Sequence, residues 1–223
     1  MNKREAVLGK VRRALGASDD DAARKRAVAE RLGAPQPNVV PARGQRDREG
    51  RVALFCEMAA AAAASVERLA SPDDVPEAVA ALLRERNLSA TFRTGADKAI
   101  DGLPWDRAPQ LTRLSGASDG SDAVSLSNAF AGVAESGTLV LLSGPDNPTT
   151  LNFLPDTHIV MVAADDIAGD YETVWTRLRE AQGPGTVPRT MNLVTGPSRS
   201  ADIEQKLILG AHGPRALHIL VVG

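Results

Sequence analysis

A chain of 223 residues that is 43% hydrophobic and 24% charged can bury a full core and is neither disordered nor membrane-embedded in character. Aromatic residues make up only 3%, so the core must be built from Ala, Val, Leu and Ile, and stacking platforms for single-stranded nucleic acid are not expected. The net charge of −2 is unevenly placed: residues 1–50 carry 12 Lys+Arg against 7 Asp+Glu, whereas the remainder carries 14 against 21.

The basic stretch opens with residues 3–15, where Val7, Leu8, Val11 and Leu15 share one face of an amphipathic helix that Gly16 can end. No uninterrupted apolar run marks a secretory signal or a membrane span, and a cytoplasmic protein is expected. Asp19 to Glu49 mixes a short charged helix with Pro35, Pro37, Pro41 and Gly44, which predicts a linker. Residues 1–50 are therefore read as a helical arm and Pro-rich linker, and residues 51–223 as the main domain. A basic arm on an acidic body can dock an acidic partner subunit or a second copy of the chain, or it can simply be a solvated leader. No nucleic-acid recognition motif accompanies the charge.

Val52–Leu69, with its Ala59–Ala64 block, predicts one long helix. It carries Cys56, the only cysteine, so the chain offers neither an internal disulfide nor the roughly four thiolates of an iron–sulfur cluster. Ser71-Pro72-Asp73-Asp74 caps a second helix over Val75–Arg86. Ala90–Arg93 and Gln110–Leu114 read as short strands. Val124–Ala134, Thr138–Leu142, His158–Ala163, Met191–Thr195 and Leu217–Val222 read as strands, with helices at Tyr171–Ala181 and Ala201–Ala211. This alternation predicts an α/β fold, a mostly parallel sheet flanked by helices with an N-terminal helical arm. A dinucleotide glycine fingerprint, a Walker loop and a zinc-finger spacing are all absent from the sequence.

Two cassettes can carry chemistry, and both are expected at strand ends, where parallel sheets bind small ligands. In Glu135-Ser136-Gly137-Thr138, Glu135 sits at a tight turn where it can act as nucleophile or base. Ser136, Thr138 and backbone amides would donate to an oxyanion, and Gly137 would allow close approach of a ligand. The same residues also make an ordinary solvated hairpin. In Gly196 to Glu204, Ser198 or Ser200 can cap a helix whose first amides, with Arg199 alongside, form an anion site. Asp202 and Glu204 argue equally for capping without a ligand. His212, before Gly213-Pro214 at that helix's C-terminus, can edge a site, while His158 and His218 enter apolar strands as structural imidazoles. No two histidines have a metal-ligand spacing. Asp146-Asn147-Pro148 with Asn152 form a polar loop that can close over a ligand.

Taken with Leu154-Pro155-Asp156-Thr157-His158-Ile159 and Leu209-Gly210-Ala211-His212-Gly213-Pro214-Arg215-Ala216-Leu217-His218, these cassettes resemble the lactate utilization protein C family (LutC/YkgG, the LUD domain). Ser136 and Ser200 stand where that family more usually carries Thr, a conservative difference because either hydroxyl donates and accepts. The resemblance implies a fold like that of CoA-transferases and sugar-phosphate isomerases. It also implies a place in a system oxidising L-lactate to pyruvate with iron–sulfur partner subunits. The candidate site residues read from the cassettes and the polar loop are Glu135, Thr138 and His212 for chemistry and Ser136, Gly137, Asn147, Ser198, Arg199, Ser200 and Asp202 for ligand binding, and the resemblance adds that Glu135 stands at a turn similar to the one bearing the nucleophilic glutamate of some CoA-transferases. No cofactor is expected in this chain, and the lone Cys56 independently places any clusters on partners. Two other readings stay open: a stand-alone acyl- or CoA-transferase with Glu135 as nucleophile, and a regulatory module sensing a small carboxylate. A homo-oligomer is compatible with all three.

Overall fold

The computed structural model describes residues 2–17, 21–183, 185–200, 208–210 and 212–223. The chain divides into two units, one ending at Asn38 and one beginning at Val39. The first holds helix α1 (Lys3–Ala14), entered through an Asn2/Glu5 capping box, and helix α2 (Ala22–Gly33), capped by Asp21.

The second unit is an α/β domain around a six-stranded, wholly parallel sheet. Its strands are β1 (Ser65–Leu69), β2 (Thr91–Thr94), β3 (Thr112–Ser115), β4 (Val124–Asn128), β7 (Thr157–Ala163) and β12 (Ala216–Val222), in the spatial order β1-β12-β7-β4-β2-β3. Strands β5 (Ala131–Val133), β6 (Thr138–Leu142), β8 (Ile167–Ala168) and β9 (Met191–Val194) form a four-stranded mixed sheet, in the order β8-β5-β6-β9. Strands β10 (Arg199–Ser200) and β11 (Ile208–Leu209) form a separate antiparallel ribbon.

Strand periodicity assigns the two faces of the parallel sheet. Ile159 and Met161 of β7, Leu220 and Val222 of β12, and Val124 and Leu126 of β4 pack on helix α4 (Val75–Glu85) and the short helix α5 (Lys98–Asp101). Val160, Val162, Leu217, Ile219 and Val221 face the other way. There they meet Val52, Phe55 and Ala59 of helix α3 (Arg48–Ala61) together with Leu139, Leu141 and Ile167 of the second sheet. The far face of the second sheet is covered by Val174 of helix α7 (Tyr171–Gln182). Helix α6 (Thr149–Phe153) sits against β4, where Ser125 Oγ donates to Leu151 O at 2.7 Å.

Three predicted elements are corrected. The long helix Val52–Leu69 ends at Ala61, and after Ala63 turns the chain at φ +69° residues Ser65–Leu69 run as β1 beside β12. The polyalanine block contains no stop signal; what ends the helix is tertiary, the backbones of Gly137 and Gly196 pressing against Ala59 and Ala62. The predicted strand Val124–Ala134 is two strands in different sheets. The chain leaves the first sheet at Ala129, whose N–H reaches Met161 O, and joins the second at Phe130, whose N–H reaches Val140 O. Both strands are buried, so the apolar positions carry on across the break although Ser125, Ser127 and Asn128 interrupt them. The predicted helix Ala201–Ala211 falls mostly outside the described residues. Where it is described, Ile208–Leu209 is a strand paired with Arg199–Ser200, so Ser200 lies in a ribbon and not at a helix start.

Candidate functional site

A cleft of about 260 Å³ lies at the amino edge of the parallel sheet, not at the carboxyl edge that strand-end reasoning favours. His158 and Leu217 on its floor are each the second residue of their strand, and Asn152 and Phe153 come from α6 immediately before β7. The wall is the chain after β9, Thr195 to Arg199, facing His212 to Pro214. At the carboxyl edge the Gly144–Pro148 turn folds over β2 instead: Pro145 O accepts from Ala96 N, and a Cβ on Gly95 would fall 1.8 Å from Asp146 O.

The polar side chains of the floor are buried. His158 is wholly buried and Asn152 is 1% exposed. Ser127, from the next strand and on the same face, has its Oγ 3.0 Å from His158 Nε2 and 3.5 Å from Asn152 Oδ1. A serine hydroxyl has one hydrogen, so serving both contacts requires His158 Nε2–H to donate to Ser127 and Ser127 to donate to Asn152. His158 Nδ1 is then a bare acceptor and Asn152 Nδ2 a spare donor, and both atoms are buried without a hydrogen-bond partner among the described residues. Burial pushes the His158 pKa down to about 3, so the ring is neutral near pH 7.

The rim supplies positive charge. Arg199 is exposed at the cleft, and its Nη2 donates to Ala62 O at 2.6 Å, capping the carbonyl end of α3. Arg199 lines a cleft with no carboxylate side chain among the described residues of its lining. Ser198 anchors the wall through its backbone: its N–H donates to Pro214 O at 2.9 Å, and its carbonyl accepts from Gly210 N at 3.0 Å. Glycine is required at 196, where φ is +71° and a Cβ would meet Ala62 O at 2.1 Å.

The second cassette thus reaches the cleft through Ser198, Arg199 and His212, the last of which is exposed. Ser200 lies next to it in β10, and Asp202 is outside the described residues. The first cassette stands behind the wall. Ser136 Oγ, Thr138 Oγ1 and Tyr171 Oη lie within 2.7–2.9 Å of one another, and Thr138 Oγ1 is 2.7 Å from Thr195 Oγ1, a residue of the cleft. Gly137, at φ +66°, lets the hairpin touch Ala59 of α3. Glu135 is 5% exposed, its amide donates to Gly169 O, and it does not border the cleft. Asn147 is buried, with Nδ2 donating to Leu142 O at 3.4 Å, and it too lies away from the cleft.

His158 and Asn152 are the residues that sequence reasoning undervalued, one read as structural and the other as loop. The signal lay in Ser125 and Ser127, polar residues alternating with Val124 and Leu126 in a strand buried on both faces. His218 does fit the structural reading. Its Nδ1 lies 2.7 Å from Ser65 Oγ, and burial aided by Arg86 lowers its pKa to about 4. Cys56 packs beside the core, where burial raises its pKa. Among the described residues no group of three or more His, Cys, Asp or Glu side chains comes together to hold a metal, and no helix is long and apolar enough to cross a membrane.

Among known proteins, the LUD domain family model matches residues 52–222 of this chain. A lactate utilization protein C from Geobacillus sp. is 34% identical over 124 residues, 55% of this chain and 51% of the relative. The Bacillus subtilis protein of the same name is 43% identical over 91 residues, 40% of this chain and 38% of the relative. The chain therefore spans about half the length of the first relative and less of the second. In structure, a DUF162 family protein from Deinococcus radiodurans superposes with a TM-score of 0.55 at 22% identity, covering 80% of this chain and 99% of that one, a likeness of fold.

Proposed function

The chain belongs to the LUD domain family, and from that premise we propose that it serves lactate utilization as a substrate-handling subunit of an L-lactate-oxidising system whose iron–sulfur clusters sit on partner chains in the cytoplasm. The observation that carries this reading is the cleft: a polar floor of His158 and Asn152 beneath an arginine rim, of a size for a small carboxylate. Arg199 supplies a planar cation suited to a carboxylate. The names of the relatives, lactate utilization protein C, support the substrate class. A single cysteine supports the division of labour, because a cluster would need about four thiolates. The acyl-transferase reading gains no comparable support, since Glu135 does not border the cleft.

The test is genetic and biochemical. Deleting the gene is expected to impair growth on L-lactate but not on glucose, and affinity purification from lactate-grown cells is expected to recover cysteine-rich iron–sulfur proteins. Undiminished growth, with the chain recovered alone, refutes the assignment.

A further inference from the structure

We propose that a second cavity of the α/β domain holds the phosphate or pyrophosphate group of a phosphorylated small molecule. The cavity measures about 300 Å³ and shares no lining residue with the cleft described above. Three arginines line it: Arg46 from the loop before α3, Arg51 from α3 and Arg177 from α7. Main-chain carbonyls gather these cations. Arg177 donates from Nη2 to Asp165 O at 3.3 Å and from Nη1 to Asp166 O at 3.0 Å, and Arg51 donates from Nε to the next carbonyl, Ile167 O, at 3.1 Å. Arg51 Nη1 also reaches Arg46 O at 3.2 Å, and Arg46 Nε reaches Arg43 O at 3.0 Å. A carbonyl fixes a guanidinium without neutralising it. Of the three, Arg177 has a carboxylate partner, Asp166 Oδ1 at 3.0 Å, whereas Arg46 and Arg51 form no ion pair among the described residues. Arg46 is exposed and Arg51 half-buried, so both are open to a ligand.

The two carboxylates of the described lining are already engaged. Asp165 pairs with Arg48, outside the lining. Asp170 is buried, with Oδ1 taken by Thr173 N at 2.8 Å and Oδ2 by Gln45 Nε2 at 2.8 Å and Thr173 Oγ1 at 3.0 Å. Its charge serves the positive end of α7, which it caps. The loops that carry these groups are locked together: a Cβ on Gly44 would fall 2.1 Å from Gly169 O, and one on Gly169 would fall 2.2 Å from Gly44 O. Surplus positive charge held around a concavity is offset by a bound anion. Planar guanidinium forks suit the several oxygens of a phosphate group. The volume, room for about ten water molecules, admits a pyrophosphate as well as a single phosphate.

Calorimetric titration of the full chain at neutral pH and fixed ionic strength tests the site, with pyrophosphate, ADP and acetate as probes. Pyrophosphate is expected to bind about tenfold or more tightly than acetate. Arg46→Gln and Arg51→Gln are each expected to weaken it about tenfold, the worth of one charge-assisted hydrogen bond. Because Arg46 is exposed, its variant keeps the test decisive should Arg51→Gln fail to fold. ADP distinguishes the source of the group: tighter binding than pyrophosphate supports a phosphate ester with contacts beyond its phosphates, and equal or weaker binding supports recognition of the phosphates alone. No binding at millimolar pyrophosphate, equal affinity for acetate, or affinity unchanged in both variants overturns the proposal. So does a loss seen only in Arg199→Gln, which would assign the anion to the first cleft. None of these results touches the role in lactate utilization, which stands or falls by the deletion strain.

Discussion

The buried histidines make stability depend on pH in a window where little else titrates. An unfolded histidine has a pKa of about 6.5, whereas folding lowers His158 to about 3 and His218 to about 4. Below about pH 6.5 the unfolded chain takes up protons that the folded chain refuses, so stability present above that value is lost as pH falls. Each tenfold difference in proton affinity between the two states is worth about 1.4 kcal/mol. Going from about pH 7.5 to about pH 5, each histidine therefore costs roughly 2 kcal/mol, about 4 kcal/mol for the pair. The carboxylates Asp122 and Asp170, held below the usual range by Arg93 and Ser118 and by Thr173 and Gln45, lose their contribution only at lower pH. Urea titrations read by circular dichroism at several pH values across this window measure the effect. His158→Gln is expected to halve the dependence, leaving the part due to His218. A flat profile between pH 7.5 and 5, or an unchanged slope in the variant, would refute the claim that folding buries these rings in the neutral form.

The glycines of the two cassettes give a second test. Gly196→Ala and Gly137→Ala place a Cβ 2.1 Å from Ala62 O and 2.2 Å from Ala59 N at positive φ, and each is expected to cost about 3 kcal/mol or more. Gly183→Ala, at φ +83° and ψ 162° with open space around it, meets backbone strain without collision and is expected to cost less, about 2 kcal/mol, so the comparison of melting temperatures separates strain from collision. The hydroxyl cluster yields a third. Thr138→Val and Tyr171→Phe each remove a member of a mutually bonded set, and a double-mutant cycle is expected to show a coupling of about 1 kcal/mol; additive losses would mean the contacts are incidental.

The parts of the fold that were legible in the sequence are those whose pattern is local. The runs that became β6, β7, β9 and β12 are apolar, short and bounded by turn residues, and helices α4 and α7 carry one-sided apolar faces with Ser71-Pro72 and Asp170 at their starts. The parts that were not legible depend on what a segment meets. Nothing within Ala59–Ala64 says that glycine backbones from two distant loops will end the helix there. Nothing within Val124–Val133 says where the chain changes sheets. The cleft divides in the same way. Its wall was readable from Gly196-Pro197-Ser198-Arg199 and His212-Gly213-Pro214, a punctuated motif. Its floor was not, because His158, Asn152 and Ser127 become a unit only through the parallel register that sets Ser125 beside His158.

That same register bears on which carboxylate chemistry the chain can perform. A nucleophilic glutamate must reach its substrate, and attack on an acyl-CoA demands a face open to a bulky thioester. Glu135 sits at 5% exposure in a hairpin whose amide is tied to Gly169 O, whose glycine is wedged on α3, and whose hydroxyls are taken up by Tyr171 and Thr195. Incubation with a panel of acyl-CoAs, followed by borohydride or hydroxylamine and peptide mass spectrometry, is therefore expected to leave Glu135 unlabelled. An adduct there would mean that the hairpin opens, and the hydroxyl set that joins Thr138 to Thr195 would have to break for it to do so. In that event Thr138→Val should raise the labelling. If the hairpin instead serves to brace the cleft wall, Thr138→Val should leave Glu135 unlabelled and weaken lactate binding through Thr195.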